Sequence, residues 1–136
     1  MSLLQLVENT PPPVTTGFDV AEVKAMQRAV IQLFQRWGLT DEQACILLGE
    51  IAKRTFQRWK KGELGRVGVD LAARLSNLMG IHKALRLLFS EPQRGYGWIK
   101  QPNKTFGGQS ALDVMLAGQL TDLMRVRHYL DASRGY

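Results

Sequence analysis

The sequence predicts an all-α protein: an N-terminal helix-turn-helix module followed by a small helical module. Three observations carry this. Apolar residues recur at three- and four-residue intervals, not in alternation. Helix-capping residues and glycine stops punctuate the chain. No stretch reads as a strand, and none repeats another. With 136 residues, 45% of them hydrophobic, the chain suits one domain or two very small ones around a modest core.

Residues 1–17 read as a flexible tail. Pro11, Pro12 and Pro13 cannot donate backbone hydrogen bonds and favour an extended chain, while Leu3, Leu4, Leu6 and Val7 could dock on a partner. Asp19 caps a first helix that runs to Trp37 and stops at Gly38. Val23, Met26, Val30, Phe34 and Trp37 form its apolar stripe. A second helix begins at Thr40, where the run TDEQ is a capping box closed by Gln43. Ala44, Cys45, Leu47 and Leu48 fill its inner side and Gly49 ends it. A third spans Lys53 to Lys61 and stops at Gly62. After the loop ELGRVG, a fourth covers Val69 to Met79, with Leu71, Leu75 and Leu78 inward and Gly80 as a break. A fifth runs from Ile81 to Ser90. The segment from Gly95 to Gly108 reads as a loop. Ser110 and Asp113 make a second capping box, and two short helices follow near 111–117 and 119–131, divided at Gly118.

The net charge of +6 is unevenly placed. Residues 1–40 hold three cations and three anions, whereas Lys53, Arg54, Arg58, Lys60 and Lys61 follow one another with no acid between them. Phe56 and Trp59 lie among them at helical spacing. Helix, glycine turn and short basic helix in that order form a helix-turn-helix, whose second helix enters the DNA major groove. Phe56 and Trp59 then pack inward. Lys53, Arg54, Thr55, Gln57, Arg58, Lys60 and Lys61 become the candidate DNA-binding residues, since Arg and Lys reach guanine acceptors, Gln reads adenine, and peripheral cations neutralise phosphates. The plainer alternative is a solvated face on a structural helix. Seven steps separate Gly49 from Phe56, one more than the simplest pattern has, which puts an extra residue, Glu50 or Ile51, in the turn.

Catalytic classes find no support. His82 and His128 stand far apart without a second ligand at metal spacing, Cys45 has apolar helical neighbours, and no nucleophile, base and orienting group can be assembled. No enzyme activity, metal or cofactor is expected. The apolar runs are too short for a membrane span, and the N-terminus lacks the pattern of a signal peptide. With one cysteine, the expectation is a cytoplasmic protein. The C-terminal third places Trp98, Ile99 and Phe106 in a loop-rich stretch, either as members of a small core or as interface anchors. A helix-turn-helix does not need this segment, so it implies a second task, such as binding a protein.

The order of a helix-turn-helix, then WIKQPNKTFGGQS, then LDVMLAG, then a last helix ending in RGY resembles the Xre/MbcA/ParS antitoxin family, over roughly Val20 to Tyr136. Trp98, Pro102, Asn103, Gly107, Gly108, Ser110, Leu112 and Gly118 fall on the family's toxin-binding pattern. Ala111 stands where many members have proline. The resemblance implies an Xre-like helix-turn-helix DNA-binding module over 18–90 and a toxin-binding module over 91–136. It implies the antitoxin of a type II system, which neutralises a RES-domain toxin that attacks NAD and represses its own operon. The expected partners are that toxin, operator DNA, and a second copy in a homodimer or a toxin-bridged oligomer. Trp98, Ile99, Asn103, Phe106, Leu112, Leu116, Arg134 and Tyr136 are the expected toxin-binding residues, the last two as a tail across the toxin's active-site mouth, with a frayed chain end as the alternative for that tail. The rival reading is a stand-alone, phage-repressor-like regulator whose C-terminal part only dimerises.

Overall fold

The computed structural model describes residues 17–135; residues 1–16 of the expected N-terminal tail, and Tyr136, lie outside the described residues. Seven α-helices and one short 3-10 turn make up the described chain, with a single isolated bridge between Pro102 and Ser110. The fold is all-α, as the apolar spacing predicts.

Helix α1 (Val20–Arg36) starts where the Asp19 carboxylate accepts from the Glu22 N–H at 2.7 Å. It buries Val23, Val30, Leu33 and Phe34 on one face, with Trp37 just beyond its end, while Met26 is half-buried. Helix α2 (Asp41–Leu47) begins with both halves of the expected capping box: Gln43 N–H donates to Thr40 Oγ1 at 3.1 Å, and Thr40 N–H to Gln43 Oε1 at 3.0 Å. Its end is a Schellman turn. Glu50 N–H reaches Cys45 O, Gly49 N–H reaches Ile46 O, and both residues have positive φ, 85° and 63° for Gly49 and Glu50. Glu50 is therefore the extra residue of the turn, held in a left-handed conformation that disfavours any side chain. Helix α3 (Lys53–Lys60) follows, with Phe56 and Trp59 buried.

Helix α4 (Val69–Leu88) corrects the sequence reading. No break occurs at Gly80, and the fourth and fifth expected helices are one helix of 20 residues. Glycine inside a helix costs only about 1 kcal/mol relative to alanine. Burial of Leu75, Leu78, Ile81, Ala84 and Leu85 on both sides of it outweighs that. Gly80 is instead a notch: a Cβ there would lie 2.4 Å from Arg127 Nε. Leu71, expected inward, is half-buried, and Ala72 takes the inner position.

The expected loop from Gly95 to Gly108 also holds more structure than its glycines suggest. Helix α5 (Pro92–Trp98) starts with proline in its first turn, where the missing N–H has no partner to lose. A Cβ on its buried Gly95 would sit 3.4 Å from Leu85 Cβ, so the glycine permits close packing on α4. A 3-10 turn (Lys104–Phe106) is capped by Asn103 Oδ1, which accepts from Thr105 N–H. Helix α6 (Ala111–Met115) carries the expected Ser110–Asp113 capping box, and after Gly118 helix α7 (Leu120–Ser133) closes the fold. The most extensive helix contact is α4 against α7. One hydrophobic core runs from Val23 in α1 to Leu130 in α7 without interruption at residue 90.

Candidate nucleic-acid and partner interfaces

Helix α3 is held from beneath by rings. Phe34 of α1 lies 6.3 Å from Phe56, and Phe56 lies 6.5 Å from Trp59, at the centroid spacing of favourable tilted pairs. With both aromatics inward, Lys53, Arg54, Gln57, Arg58, Lys60 and Lys61 are exposed and Thr55 is half-buried at the edge. The division between inner and outer positions is therefore the one the sequence predicts.

The charge on that face is not unopposed, however. Lys53 is paired with Glu42, and Lys60 Nζ donates to Asp41 Oδ1 at 2.7 Å; both acids stand in the first turn of α2. Lys60 also lies over the Phe56 ring, 5.3 Å from its centroid. The Lys60 hydrogen bond holds the Asp41 carboxyl below its ordinary range, and the Lys53 hydrogen bond does the same for Glu42. These two lysines fasten α3 to α2. Arg54, Arg58 and Lys61 make no ion pair among the described residues, and with Gln57 they form the outward-facing set. Cys45, below this junction, is buried and free, and burial pushes its thiol pKa up.

A residue the sequence reading passed over ties this turn to the rest of the molecule. The Arg74 side chain, 9% exposed, donates to Asp70 at 2.8 Å, to Gly118 O at 2.9 Å and to Leu47 O at 3.4 Å. Leu47 O is among the last carbonyls of α2, which lack intrahelical partners and attract a cation. Gly118 belongs to the α6–α7 turn. One guanidinium thus joins the helix-turn-helix to the C-terminal module, and it fills the space beside Gly49, where a Cβ would lie 2.9 Å from Arg74 Nε. The Asp70–Arg74 spacing was the only local signal for it.

In the C-terminal module the expected toxin-binding residues divide. Ile99 is 0% exposed, and Phe106 and Leu112 are also buried, so these three hold the module together in the free chain. Trp98, Asn103 and Leu116 are half-buried and reach the surface. Trp98 stacks on Tyr129 at 6.0 Å with an interplanar angle of 9°; Phe106 meets the same ring edge-on at 5.2 Å, and Arg125 lies over Phe106. Tyr129 and Arg125 had no sequence signal, because their partners are more than a full helix away along the chain. Arg134 is held by Asp131 at 3.3 Å, its side chain only 12% exposed. Among the described residues no helix is long and apolar enough to cross a membrane.

Comparison with known proteins gives one N-terminal and one C-terminal family match. Residues 20–80 match the family described as the antitoxin Xre-like helix-turn-helix domain, and residues 84–135 match the antitoxin Xre/MbcA/ParS C-terminal toxin-binding domain. The two matches meet inside α4. The uncharacterized protein y4oB of Sinorhizobium fredii is 44% identical over 117 residues, 86% of this chain and 90% of that protein. A chain of the crystal structure of the M. tuberculosis MbcT-MbcA toxin-antitoxin complex shares the fold with a TM-score of 0.55 at 20% identity, over 85% of this chain and 94% of that one.

Proposed function

This chain belongs to the Xre/MbcA/ParS antitoxin family, with an Xre-like helix-turn-helix domain and a toxin-binding domain, and from that premise we propose that it neutralises a RES-domain toxin that attacks NAD and represses its own operon. The observation that carries this reading is the toxin-binding domain match over 84–135, joined through one helix to a helix-turn-helix whose second helix presents Arg54, Gln57, Arg58 and Lys61 outward. In this reading α3 enters the major groove of a palindromic operator. Half-sites about 34–36 Å apart are read by a dimer, formed by the antitoxin alone or bridged by toxin. Trp98 is the main anchor for the toxin, because Trp is enriched among the few residues that carry most interface energy, and Leu116 adds apolar contact. The C-terminal tail from Arg134 lies at the toxin's active-site mouth.

The test is co-expression with the product of the neighbouring gene, followed by pull-down, a growth assay and measurement of cellular NAD. The expected result is a stable complex, restored growth and restored NAD. A chain that binds its promoter but captures no such protein would be the stand-alone regulator instead.

A further inference from the structure

A cavity of about 250 Å³ opens between α1, α4 and α5, lined by Leu33 and Arg36 of α1, His82 and Arg86 of α4, and Pro92 and Tyr96 of α5. Neither α3 nor α7 contributes to its lining. Its charge is one-sided: two arginines and a histidine border it, and among the described residues no carboxylate does. Arg36 and Arg86 stand in the last turns of their helices, and neither is paired with an acid among the described residues. His82 lies one turn before Arg86 on the same helix face. Its Nδ1 is buried without a hydrogen-bond partner among the described residues. Burial first, then Arg86 and Arg36, press the His82 pKa below its ordinary value.

Arg36 and Arg86 are exposed side chains, so a multiply charged oxyanion can reach both from solvent. Guanidinium forks match the oxygens of phosphate, and a protonated imidazole donates to the same group. Leu33, Pro92 and the largely buried Tyr96 add an apolar wall that would cover part of an organic carrier. We propose that this cavity binds the phosphate group of a small phosphate ester, no larger than a mononucleotide. The phosphate lies between Arg36 and Arg86 and takes a hydrogen bond from His82, and the carrier rests against Tyr96.

The full-length chain is titrated at constant ionic strength with inorganic phosphate, with adenosine monophosphate and with adenosine, while the His82 ring signals are followed by NMR and assigned through His82→Gln. Phosphate and the monophosphate should move those signals saturably, and adenosine should not. Arg36→Ala and Arg86→Ala should each weaken binding by about ten-fold or more, as loss of a charge-assisted hydrogen bond does. Lys83→Ala, an exposed change on the same helix outside the cavity, should leave it unchanged. The absence of a saturable shift in the wild-type chain up to about 10 mM phosphate, weaker than most metabolite sites, overturns the proposal whatever the variants do. So does an equal effect of Lys83→Ala, which would indicate diffuse attraction. If phosphate fails to bind but the arginine variants weaken capture of the partner protein, the cavity is a protein contact and not a phosphate site.

Discussion

On α3, Phe56 and Trp59 are buried, Thr55 is half-buried and the other side chains stand outside, whereas between Trp98 and Leu116 half of the six candidate contact residues are buried themselves. The first interface is an amphipathic helix. Two aromatics and the Lys53 and Lys60 ion pairs fix it, and Arg54, Gln57, Arg58 and Lys61 are left for a partner. In the second, Ile99, Phe106 and Leu112 hold a short-helix module in shape, and only half-buried Trp98, Asn103 and Leu116 remain at the surface. The difference shows why charge identifies the first face and composition does not identify the second. A short run of cations needs no core of its own. In a module this small, Trp98 packs on Tyr129 and also reaches the surface, so one ring serves both folding and contact.

The largest effect that could break this contrast is on α3 itself. Trp59→Ala should destabilise the protein by about 3–5 kcal/mol, since emptying a buried Trp site removes packing and leaves a cavity. Arg54→Ala should stay within about 0.5 kcal/mol, as exposed substitutions do. Thermal melts of the two variants decide it; a harmless Trp59→Ala would invert the faces.

Next in size is Trp98→Ala. Its half-buried ring stacks on Tyr129, so it should weaken the complex with the toxin by roughly 2 kcal/mol. Calorimetric titration of the two purified proteins measures this. Unchanged affinity together with a lowered melting temperature would make Trp98 a folding residue only, like Ile99.

Operator binding sharpens the division within α3. Arg58→Ala should lose about 1–3 kcal/mol of specific affinity if Arg58 reads a base. Lys60→Ala should change little beyond a weaker hold of α3 on α2, because Lys60 faces Asp41 and Phe56. Binding isotherms on the native promoter across a salt series separate the two. A larger loss for Lys60→Ala would mean that it leaves Asp41 on meeting DNA.

A smaller effect is expected at the turn. Glu50→Gly should stabilise the chain by up to about 1 kcal/mol, because glycine relieves the left-handed strain at less entropic cost than the strain itself. Urea unfolding measures it, and a loss of stability would show that the Glu50 side chain has a compensating role.

The smallest effect concerns acid. Asp41 and Glu42 have folded-state pKa values below their ordinary 3.8 and 4.5. A carboxylate depressed on folding stabilises above its unfolded value, and that contribution disappears as the pH falls through the folded one. Melts of Asp41→Asn with Glu42→Gln should therefore decline less steeply than wild type below about pH 4.5. An identical acid profile would mean that the two lysine pairs add nothing to stability, as exposed pairs often do.

The sequence by itself determined what depends on neighbours within about four residues, the reach of caps and helical pairs. The Asp19, Thr40 and Ser110 caps, the glycine stops at Gly38, Gly49 and Gly118, and the inward turn of Phe56 and Trp59 are all of that kind. The family pattern was legible too, because its residues sit at fixed spacing along the chain. Tertiary structure decided whatever depends on contacts between distant segments. Gly80 reads locally as a stop, yet the packing of α4 against α7 carries the helix through it. Gly95 and Gly97 suggest a loop, yet both lie in α5, which docks through Gly95 on Leu85 and Phe89. The basic run shows no acid, yet Asp41 and Glu42 come from another helix to meet Lys60 and Lys53. Arg74, 44 residues from Gly118, and the gathering of Arg36, His82 and Arg86 around one cavity follow from the fold alone. Propensity and capping act through local backbone geometry, whereas burial and electrostatics act through space, and only the folded chain defines which residues are near in space.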